Sequence, residues 1–187
     1  MQTKTHTYKI VLTAMMMCLI MVSILFIRIP IPFTQGYVHL GDAAVFLAVL
    51  VLGWKYGALA AALGGMLGDI IGGFAAWAPW TFVIKGIMAL ILGLVIMTAS
   101  RKKDITDKGF ILTEIFGMVL SGMFMAASYY FAEGIMYGNW VTPMLGVPWN
   151  IGQFTAGMVL SVIIANALCR TPAKNYFSYK LPAHKTS

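Results

Sequence analysis

Long apolar stretches separated by short polar or Gly- and Pro-rich segments are the dominant pattern of this chain. Six such stretches cover about residues 9–28, 42–53, 56–74, 80–99, 110–133 and 149–169. A transmembrane helix needs ~20 mainly apolar residues, whereas the strands of a membrane barrel alternate apolar and polar positions. The pattern predicts an all-α integral membrane protein, a six-transmembrane-helix bundle. The second stretch is short for a full crossing, so we expect neighbouring helices to shield it.

Composition and charge place the chain in the membrane and suggest its orientation. The sequence has 187 residues, of which 60% are hydrophobic and 10% charged, while soluble domains average about 25% charged residues. We therefore expect a single membrane domain over residues 1–187. The net charge of +7 does not indicate nucleic-acid binding, because eleven of the thirteen basic residues fall on the side that six crossings give to both termini. The excess of Lys and Arg in cytoplasmic loops predicts cytoplasmic N and C termini.

Two ionisable residues lie inside predicted helices. Asp69 is near the end of the third apolar stretch and Lys85 near the start of the fourth, so antiparallel helices bring them to similar depth near the outer surface. A charge within the bilayer costs about 2.5–3.5 kcal/mol on insertion scales and needs a partner or a wet cavity. The sequence therefore predicts a polar pocket at this end of the bundle. It leaves open whether Asp69 and Lys85 pair with each other or contact a ligand.

Further polar and aromatic residues converge on the same outer end. Because outer loops and outer helix ends meet there, the candidate binding residues are His39, Asp69, Trp77, Trp80, Lys85, Glu133, Tyr137, Asn139, Trp149, Asn150 and Gln153. Simpler explanations remain open for several of them. The Trp pair also suits interfacial anchoring, His39 also suits a solvated loop, and the nearby Asp42 suits a helix N-cap.

Small residues mark two helices as sites of close packing. Ala14 and Cys18 stand four residues apart in the first helix, and the third carries Gly64, Gly68 and Gly72 at the same spacing. Small residues at this spacing let helices approach closely. For Gly64, Gly68 and Gly72, packing inside the bundle is the default expectation. The Ala14 and Cys18 pair fits either internal packing or a docking face for another membrane protein.

Motif searches argue against an enzyme. The chain has no GxxxxGK[ST] phosphate loop, no HExxH, no GxSxG and no metal-ligand cluster. We therefore expect no catalytic residues, no metal and no cofactor. The polar residues stop near the outer third of the helices, which argues against a channel. The pattern fits a high-affinity membrane binding protein that relies on another component for energy.

The chain resembles the substrate-binding S components of energy-coupling factor (ECF) vitamin transporters over residues 9–168. The resemblance rests on size, six predicted spans, and the stretches GYVHLGDAAVFLAVLVLGWKYGALAAALGGMLGDIIGG and WAPWTFVIKGIMALILG. These stretches look most like the hydroxymethylpyrimidine, pyridoxine and riboflavin-type branch. The resemblance implies a multi-pass protein of the prokaryotic cytoplasmic membrane. It also implies two kinds of partner, a transmembrane T subunit and two cytoplasmic ATPase subunits of an ABC importer.

The resemblance also implies roles for particular residues. Family members contact the T subunit through an AxxxA-like motif in helix one, which here reads Ala14 to Cys18. In the binding site, the Trp residues would stack on a heteroaromatic ring and Asn150 and Gln153 would bond its polar edge. Lys85 would hold an acidic or phenolic oxygen, and Glu133 a hydroxyl or ring N–H.

Several ligands and two other protein classes remain open. A pyridoxine or hydroxymethylpyrimidine-like compound suits the residue mix, and riboflavin is the second choice because a Trp-rich pocket also suits a flavin. Pantothenate would use Lys85 but would leave the Trp pair unexplained. The other classes are a stand-alone facilitator and a structural membrane subunit without a small ligand.

Overall fold

The computed structural model describes residues 2–31, 36–101 and 107–179 and is almost entirely helical. Its long helices are α1 (Gln2–Phe26), α2 (Gly41–Ile71), α3 (Ala78–Ser100), α4 (Asp107–Tyr137) and α5 (Val147–Cys169). Among the described residues, these five helices are long and apolar enough to cross a membrane. The protein is therefore an all-α membrane bundle. Two short 3₁₀ helices, Thr142–Leu145 and Pro172–Tyr176, flank α5.

Helix α2 contains a sharp reversal at Gly53. Its φ of 79° and ψ of 177° lie in a region open essentially to glycine alone. A Cβ atom on Gly57 would lie 2.8 Å from the Cα of Val49, whereas residues eight apart in a continuous helix are ~12 Å apart along the axis. The two halves of α2 therefore fold back on each other. This turn lies between the predicted helices over 42–53 and 56–74.

The first half of α2 forms the centre of the bundle. Every residue from 41 to 53 is buried, and α2 packs against α1, α3 and α5. A helix surrounded in this way needs no polar face and does not have to match the bilayer thickness. The shielding that its short length predicts is therefore present.

The second half of α2 packs through its glycines. A Cβ atom on Gly64 would lie 3.0 Å from Ile20 of α1, and one on Gly68 would lie 3.1 Å from Ile24 of the same helix. Gly65 faces the other way and would meet the Thr81 side chain of α3 at 2.9 Å. The glycine ridge is thus an internal packing surface for two neighbouring helices.

A small β-hairpin connects α1 to α2. Strands β1 (Arg28–Pro30) and β2 (Tyr37–His39) pair antiparallel, with Arg28 opposite His39 and Pro30 opposite Tyr37. The hairpin brings residues that follow α1 close to the start of α2. Residues 32–35 lie outside the described residues.

The segment after α5 returns to the turn in α2. The backbone N–H of Ser178 donates to the carbonyls of Leu50 and Val51, at 3.2 and 3.0 Å, and its hydroxyl donates to Val51 at 2.8 Å. The Tyr179 hydroxyl donates to the Gly93 carbonyl of α3 at 3.1 Å. Carbonyls left without helical partners near Gly53 are satisfied in this way.

Two local expectations differ from the structure, and a third rests partly on residues outside the described ranges. Asp42 is not the N-cap of α2, because Leu40 holds that position and Asp42 lies in the first turn. The segment 134–148 is not wholly a loop, since α4 continues to Tyr137 and a 3₁₀ helix follows. Four of the basic residues used to predict orientation lie outside the described residues, namely Lys102, Lys103, Lys180 and Lys185.

Candidate ligand-binding site

A cavity lies below the β-hairpin, between the C-terminal ends of α2 and α4 and the N-terminal ends of α3 and α5. The space between its lining residues, including the part open to solvent, is about 400 Å³. Eleven residues line it, from β2, α2, α3, α4, α5 and the segments beside them: Ile31, Gly36, Tyr37, His39, Asp69, Trp77, Thr81, Tyr129, Glu133, Asn150 and Gln153. The lining combines aromatic rings with carboxyl and amide groups, which is typical of sites for small polar ligands.

Arg28 fixes the hairpin to the end of α2. Its Nη1 donates to the Gly72 carbonyl at 2.8 Å and its Nε donates to the Ile24 carbonyl at 3.2 Å. The guanidinium also lies over the rings of Tyr37 and Phe74, 5.2 and 5.6 Å from their centroids. A positive charge at a helix C-terminus is favourable, so Arg28 stabilises both α2 and the hairpin above the cavity.

Tyr37 connects the hairpin to Asp69. The Tyr37 hydroxyl donates to Oδ1 of Asp69 at 2.5 Å. Burial and the neighbouring Asp69 carboxylate raise the pKa of Tyr37 well above its ordinary value, so the phenol keeps its proton and acts as a donor. The other oxygen of Asp69, Oδ2, is buried and has no hydrogen-bond partner within the described part of the chain.

A buried ion pair lies beneath the cavity. The Lys85 ammonium donates to Oδ1 of Asp42, and both side chains are completely buried. Asp42 Oδ2 accepts from Nε2 of Gln153 at 2.9 Å, and the Gln153 carbonyl accepts from the backbone N–H of His39 at 2.9 Å. This chain of bonds connects α3, α2, α5 and β2. It answers the pairing question that the sequence left open, because Lys85 pairs with Asp42 and not with Asp69.

His39 presents a defined donor to the cavity. Its Nδ1 accepts from the backbone N–H of Gly41 at 3.0 Å, so the ring hydrogen is on Nε2. Burial, with a smaller contribution from the Lys85 charge, lowers the pKa of His39 to about 3. The ring is therefore neutral at physiological pH and supplies an N–H donor without a charge.

Aromatic rings form one wall of the cavity. The Trp77 ring lies 6.0 Å from Tyr129 and 6.2 Å from Tyr137, centroid to centroid, in tilted geometries. The Tyr129 hydroxyl hydrogen-bonds to the Thr81 hydroxyl at 3.1 Å. Because these neighbours restrain Trp77 and Tyr129, the wall is preorganised for a flat ring.

Glu133 and Asn150 bring polar groups to the cavity that the fold does not use. Both side chains are buried, yet neither forms a side-chain hydrogen bond with another described residue. A carboxyl group accepts hydrogen bonds, and a primary amide both donates and accepts them. These hydrogen-bonding groups and the aromatic wall together can orient a polar heteroaromatic ligand.

Six of the eleven predicted binding residues line the cavity: His39, Asp69, Trp77, Glu133, Asn150 and Gln153. The other five lie elsewhere. Lys85 is under the cavity floor, Trp80 packs against the core, and Tyr137 contacts the back of Trp77. The Asn139 side chain bonds Thr142 in the segment before α5. Trp149 lines an adjoining apolar groove, which shares His39 and Gln153 with the cavity. Ligand contact by any of these residues stays a prediction.

Five lining residues were not predicted from the sequence: Ile31, Gly36, Tyr37, Thr81 and Tyr129. Asp42 was expected to be a helix N-cap and not the partner of Lys85. Helical spacing held a signal for two of the five. Thr81 stands four residues before Lys85, and Tyr129 four before Glu133, so each shares a helix face with a predicted site residue. No comparable signal exists for the hairpin residues.

The predicted docking residues of α1 lie outside the bundle. Ala14 and Cys18 are both exposed on the side of α1 that faces away from α2. Their spacing therefore does not serve packing within the described part of this chain. As for metals, no group of three His, Cys, Asp or Glu residues within the described ranges is placed to hold an ion.

Comparison with known proteins identifies the family. The family model described as ECF-type riboflavin transporter, S component, matches residues 4–170. The chain belongs to this family. An S component is part of a membrane vitamin transporter, and family membership implies a vitamin substrate and an ECF T subunit with ATPases as general partners. The family is one of transporters, not of enzymes.

Two relatives of this S component are informative. An uncharacterized protein in a gap 3′ region of Pyrococcus woesei is 36% identical over 117 residues, which cover 63% of this chain and 72% of the relative. The thiamine precursor transporter HmpT of Lactococcus lactis subsp. cremoris is 27% identical over 149 residues, covering 79% of this chain and 80% of the relative.

Proposed function

We propose that this protein is the S component that gives an ECF importer its specificity for a small heteroaromatic vitamin precursor. The ligand we favour is a hydroxymethylpyrimidine or a closely similar single-ring compound. The similarity to HmpT, a thiamine precursor transporter, over about four fifths of both chains supports this choice. The observation that carries the proposal is the cavity itself, an aromatic wall facing polar groups that the fold leaves free.

The geometry of the wall suits a single ring. Trp77 and Tyr129 offer ring faces, and base–aromatic stacking contributes about 1–3 kcal/mol per base. Asn150 presents a primary amide. In protein–DNA complexes the same group binds adenine through two hydrogen bonds, one to the amino group and one to the neighbouring ring nitrogen. An aminopyrimidine has the same edge. A ring stacked on the wall with this edge toward Asn150 would use both features of the cavity.

Riboflavin is the second candidate. The description of the matching family model favours it, and its three fused rings suit an aromatic wall. A flavin with its ribityl chain is much larger than one ring, so it would occupy far more of the space between the lining residues than a single ring does. Pantothenate has no ring to stack on Trp77.

We infer that the chain crosses the membrane six times with both termini in the cytoplasm. The reversal of α2 at Gly53 supports this count, because it divides one of the five long helices into two halves that run in opposite directions. The distribution of Lys and Arg supports the orientation. In this arrangement the cavity faces the outside of a prokaryotic cell.

We further propose that α1 binds the T subunit through Ala14 and Cys18. Both are exposed, and a pair of small residues allows close approach of a second helix. The two ATPase subunits of the module would then supply the energy for import.

The experiment that tests capture is mass spectrometry of small molecules released from the gently purified protein. We expect a stoichiometric pyrimidine-type compound, confirmed by calorimetric titration of the emptied protein. A released flavin would keep the S component assignment and replace the ligand. A structural membrane subunit predicts no released compound and no binding to any vitamin. A stand-alone facilitator predicts uptake in cells that lack the T subunit and ATPases.

A further inference from the structure

Two carboxyl groups of the cavity form no ion pair with a described residue. Asp69 and Glu133 are 3% and 4% exposed and both line the cavity. Neither forms an ion pair with any residue in the described ranges, and Oδ2 of Asp69 has no hydrogen-bond partner there. Burying a carboxyl group without a compensating partner is costly. A partner supplied by the ligand would remove that cost.

The cations near the cavity are already engaged. The Lys85 ammonium pairs with Asp42 below the floor. The Arg28 guanidinium donates to two backbone carbonyls and lies over two rings, and it is not part of the cavity lining. His39 is neutral and offers one N–H. The cavity therefore presents carboxyl groups to a ligand and no free positive charge.

We propose that this cavity selects ligands that carry N–H donors and rejects carboxylate vitamins, with Asp69 and Glu133 as the residues that determine this choice. The inference rests on the proposed capture function and specifies it further. An amino-substituted ring places N–H groups against the carboxyl oxygens. A carboxyl oxygen accepts an N–H hydrogen bond whether or not the group is ionised. A ligand carboxylate would instead face two carboxyl groups, with no free cation in the cavity lining to pair with it.

Lys85 has a different role from the one that the sequence predicts. The sequence suggested that its ammonium holds an acidic oxygen of the ligand, which kept pantothenate among the candidates. Since Asp42 neutralises that ammonium within the fold, Lys85 is a positioning residue. Through Asp42 and Gln153 it fixes the backbone of His39.

The test measures binding to matched ligand pairs by isothermal titration of the full chain in detergent. One pair is 4-amino-5-hydroxymethyl-2-methylpyrimidine and its analogue with oxygen in place of the amino group. The other is nicotinamide and nicotinate, and pantothenate and riboflavin complete the panel. We expect the amino compound to bind about 10- to 100-fold more tightly than its oxygen analogue. We expect nicotinate and pantothenate to give no measurable binding.

Variants assign the effect to particular residues. Glu133→Gln and Asp69→Asn are each expected to weaken binding of the amino compound about 10- to 100-fold. Glu114→Gln is the matched control, because Glu114 is also a buried carboxyl group of α4 but lies outside the cavity. The affinity of this variant for the amino compound should stay within about twofold of the wild type. Tyr37→Phe removes the hydrogen bond to Asp69 but keeps the carboxyl group. It should weaken binding less than Asp69→Asn does.

The outcomes separate this inference from the function on which it rests. Tight binding of pantothenate or nicotinate, or equal binding of the amino compound and its oxygen analogue, would overturn the selectivity while leaving vitamin capture intact. Equal losses of affinity in Tyr37→Phe and Asp69→Asn, with no loss in Glu133→Gln, would also overturn it. That result would mean that the hydrogen bond between Tyr37 and Asp69, not a ligand contact, accounts for the effect. Absence of binding to every compound would contradict the capture function itself.

Discussion

Lys85 and Asp42 depend on each other because neither has access to water. Removing one partner of a buried pair typically destabilises a protein by about 3–5 kcal/mol. We therefore expect Lys85→Met alone and Asp42→Asn alone each to lower the midpoint of thermal unfolding in detergent. The double variant should recover part of the loss, because it leaves no charge in the core. Lys55→Met, at an exposed lysine, is the control, and a double variant no better than the worse single one would contradict the coupling.

Trp77 and Trp149 offer a direct contrast for ligand stacking. Trp77 is 7% exposed and lines the cavity, whereas Trp149 is 41% exposed and lies outside it. Trp77→Ala should weaken ligand binding by about 1–3 kcal/mol, the range for base–aromatic stacking. Trp77→Phe should retain most of the affinity, and Trp149→Ala should leave it unchanged. Calorimetric titration checks all three, and a larger loss in Trp149→Ala would move the stacking site to the outer groove.

For individual residues, the sequence shows which side chains are costly to bury but not which side chains contact each other in the fold. Asp69 and Lys85 were correctly singled out as charges within helices, yet the partner of Lys85 is Asp42, at the start of the same long helical segment that carries Asp69. The reversal at Gly53 decides this pairing, and its geometry is a tertiary property. Tyr37 was equally out of reach, because a hairpin of three-residue strands leaves no periodic pattern.

Among the elements, the reversal of α2 depends on the absence of a Cβ atom at Gly53. Placing a side chain in this backbone region costs of order 1–3 kcal/mol. Gly53→Ala should therefore lower the free energy of unfolding by that amount and lower the midpoint of thermal unfolding. Gly152→Ala is a suitable control, since Gly152 is helical and a Cβ atom there meets nothing within 4 Å. Alanine has the higher helix propensity, and that variant should unfold at the same or a higher temperature. Equal destabilisation of both variants would argue against strain at Gly53.

Helix α1 allows docking to be separated from ligand capture. Ala14→Trp places a bulky ring on the exposed face of α1, which should block close approach of a partner helix. We expect vitamin uptake to fall to background in cells that carry the ECF module, while the purified variant binds ligand normally. Ala167→Trp, at an exposed alanine of α5, should support normal uptake. Normal uptake by Ala14→Trp would exclude this face as the docking surface.

Periodicity and hydropathy predicted the helical class well because long apolar stretches have few alternatives in lipid. Helix ends were less predictable. α4 continues past Glu133 to Tyr137 and α5 begins at Val147, since Trp140 packs against Gly134 and stabilises the extra turn. The expected N-cap role of Asp42 failed because α2 begins at Gly41 with Leu40 as its N-cap, and the Asp42 carboxylate accepts from Lys85 and Gln153 instead.

For the molecule as a whole, the number of crossings determines the sidedness of its ends. Six crossings place both termini on the same side of the membrane, which we propose to be the cytoplasm, whereas five would place them on opposite sides. We expect an epitope tag on either terminus to react with antibody only after cells are permeabilised. An Asn139→Cys variant that also lacks Cys18 and Cys169 should react with an impermeant maleimide in intact cells. Surface reactivity of one terminal tag alone would contradict six crossings.

The contact of Ser178 with the turn in α2 has a consequence for biosynthesis. Ser178 and Val51 are separated by 127 residues. The carbonyls at the turn therefore stay without these partners while most of the chain is being made and inserted. The turn at Gly53 gains these hydrogen bonds only after α3, α4 and α5 have been synthesised.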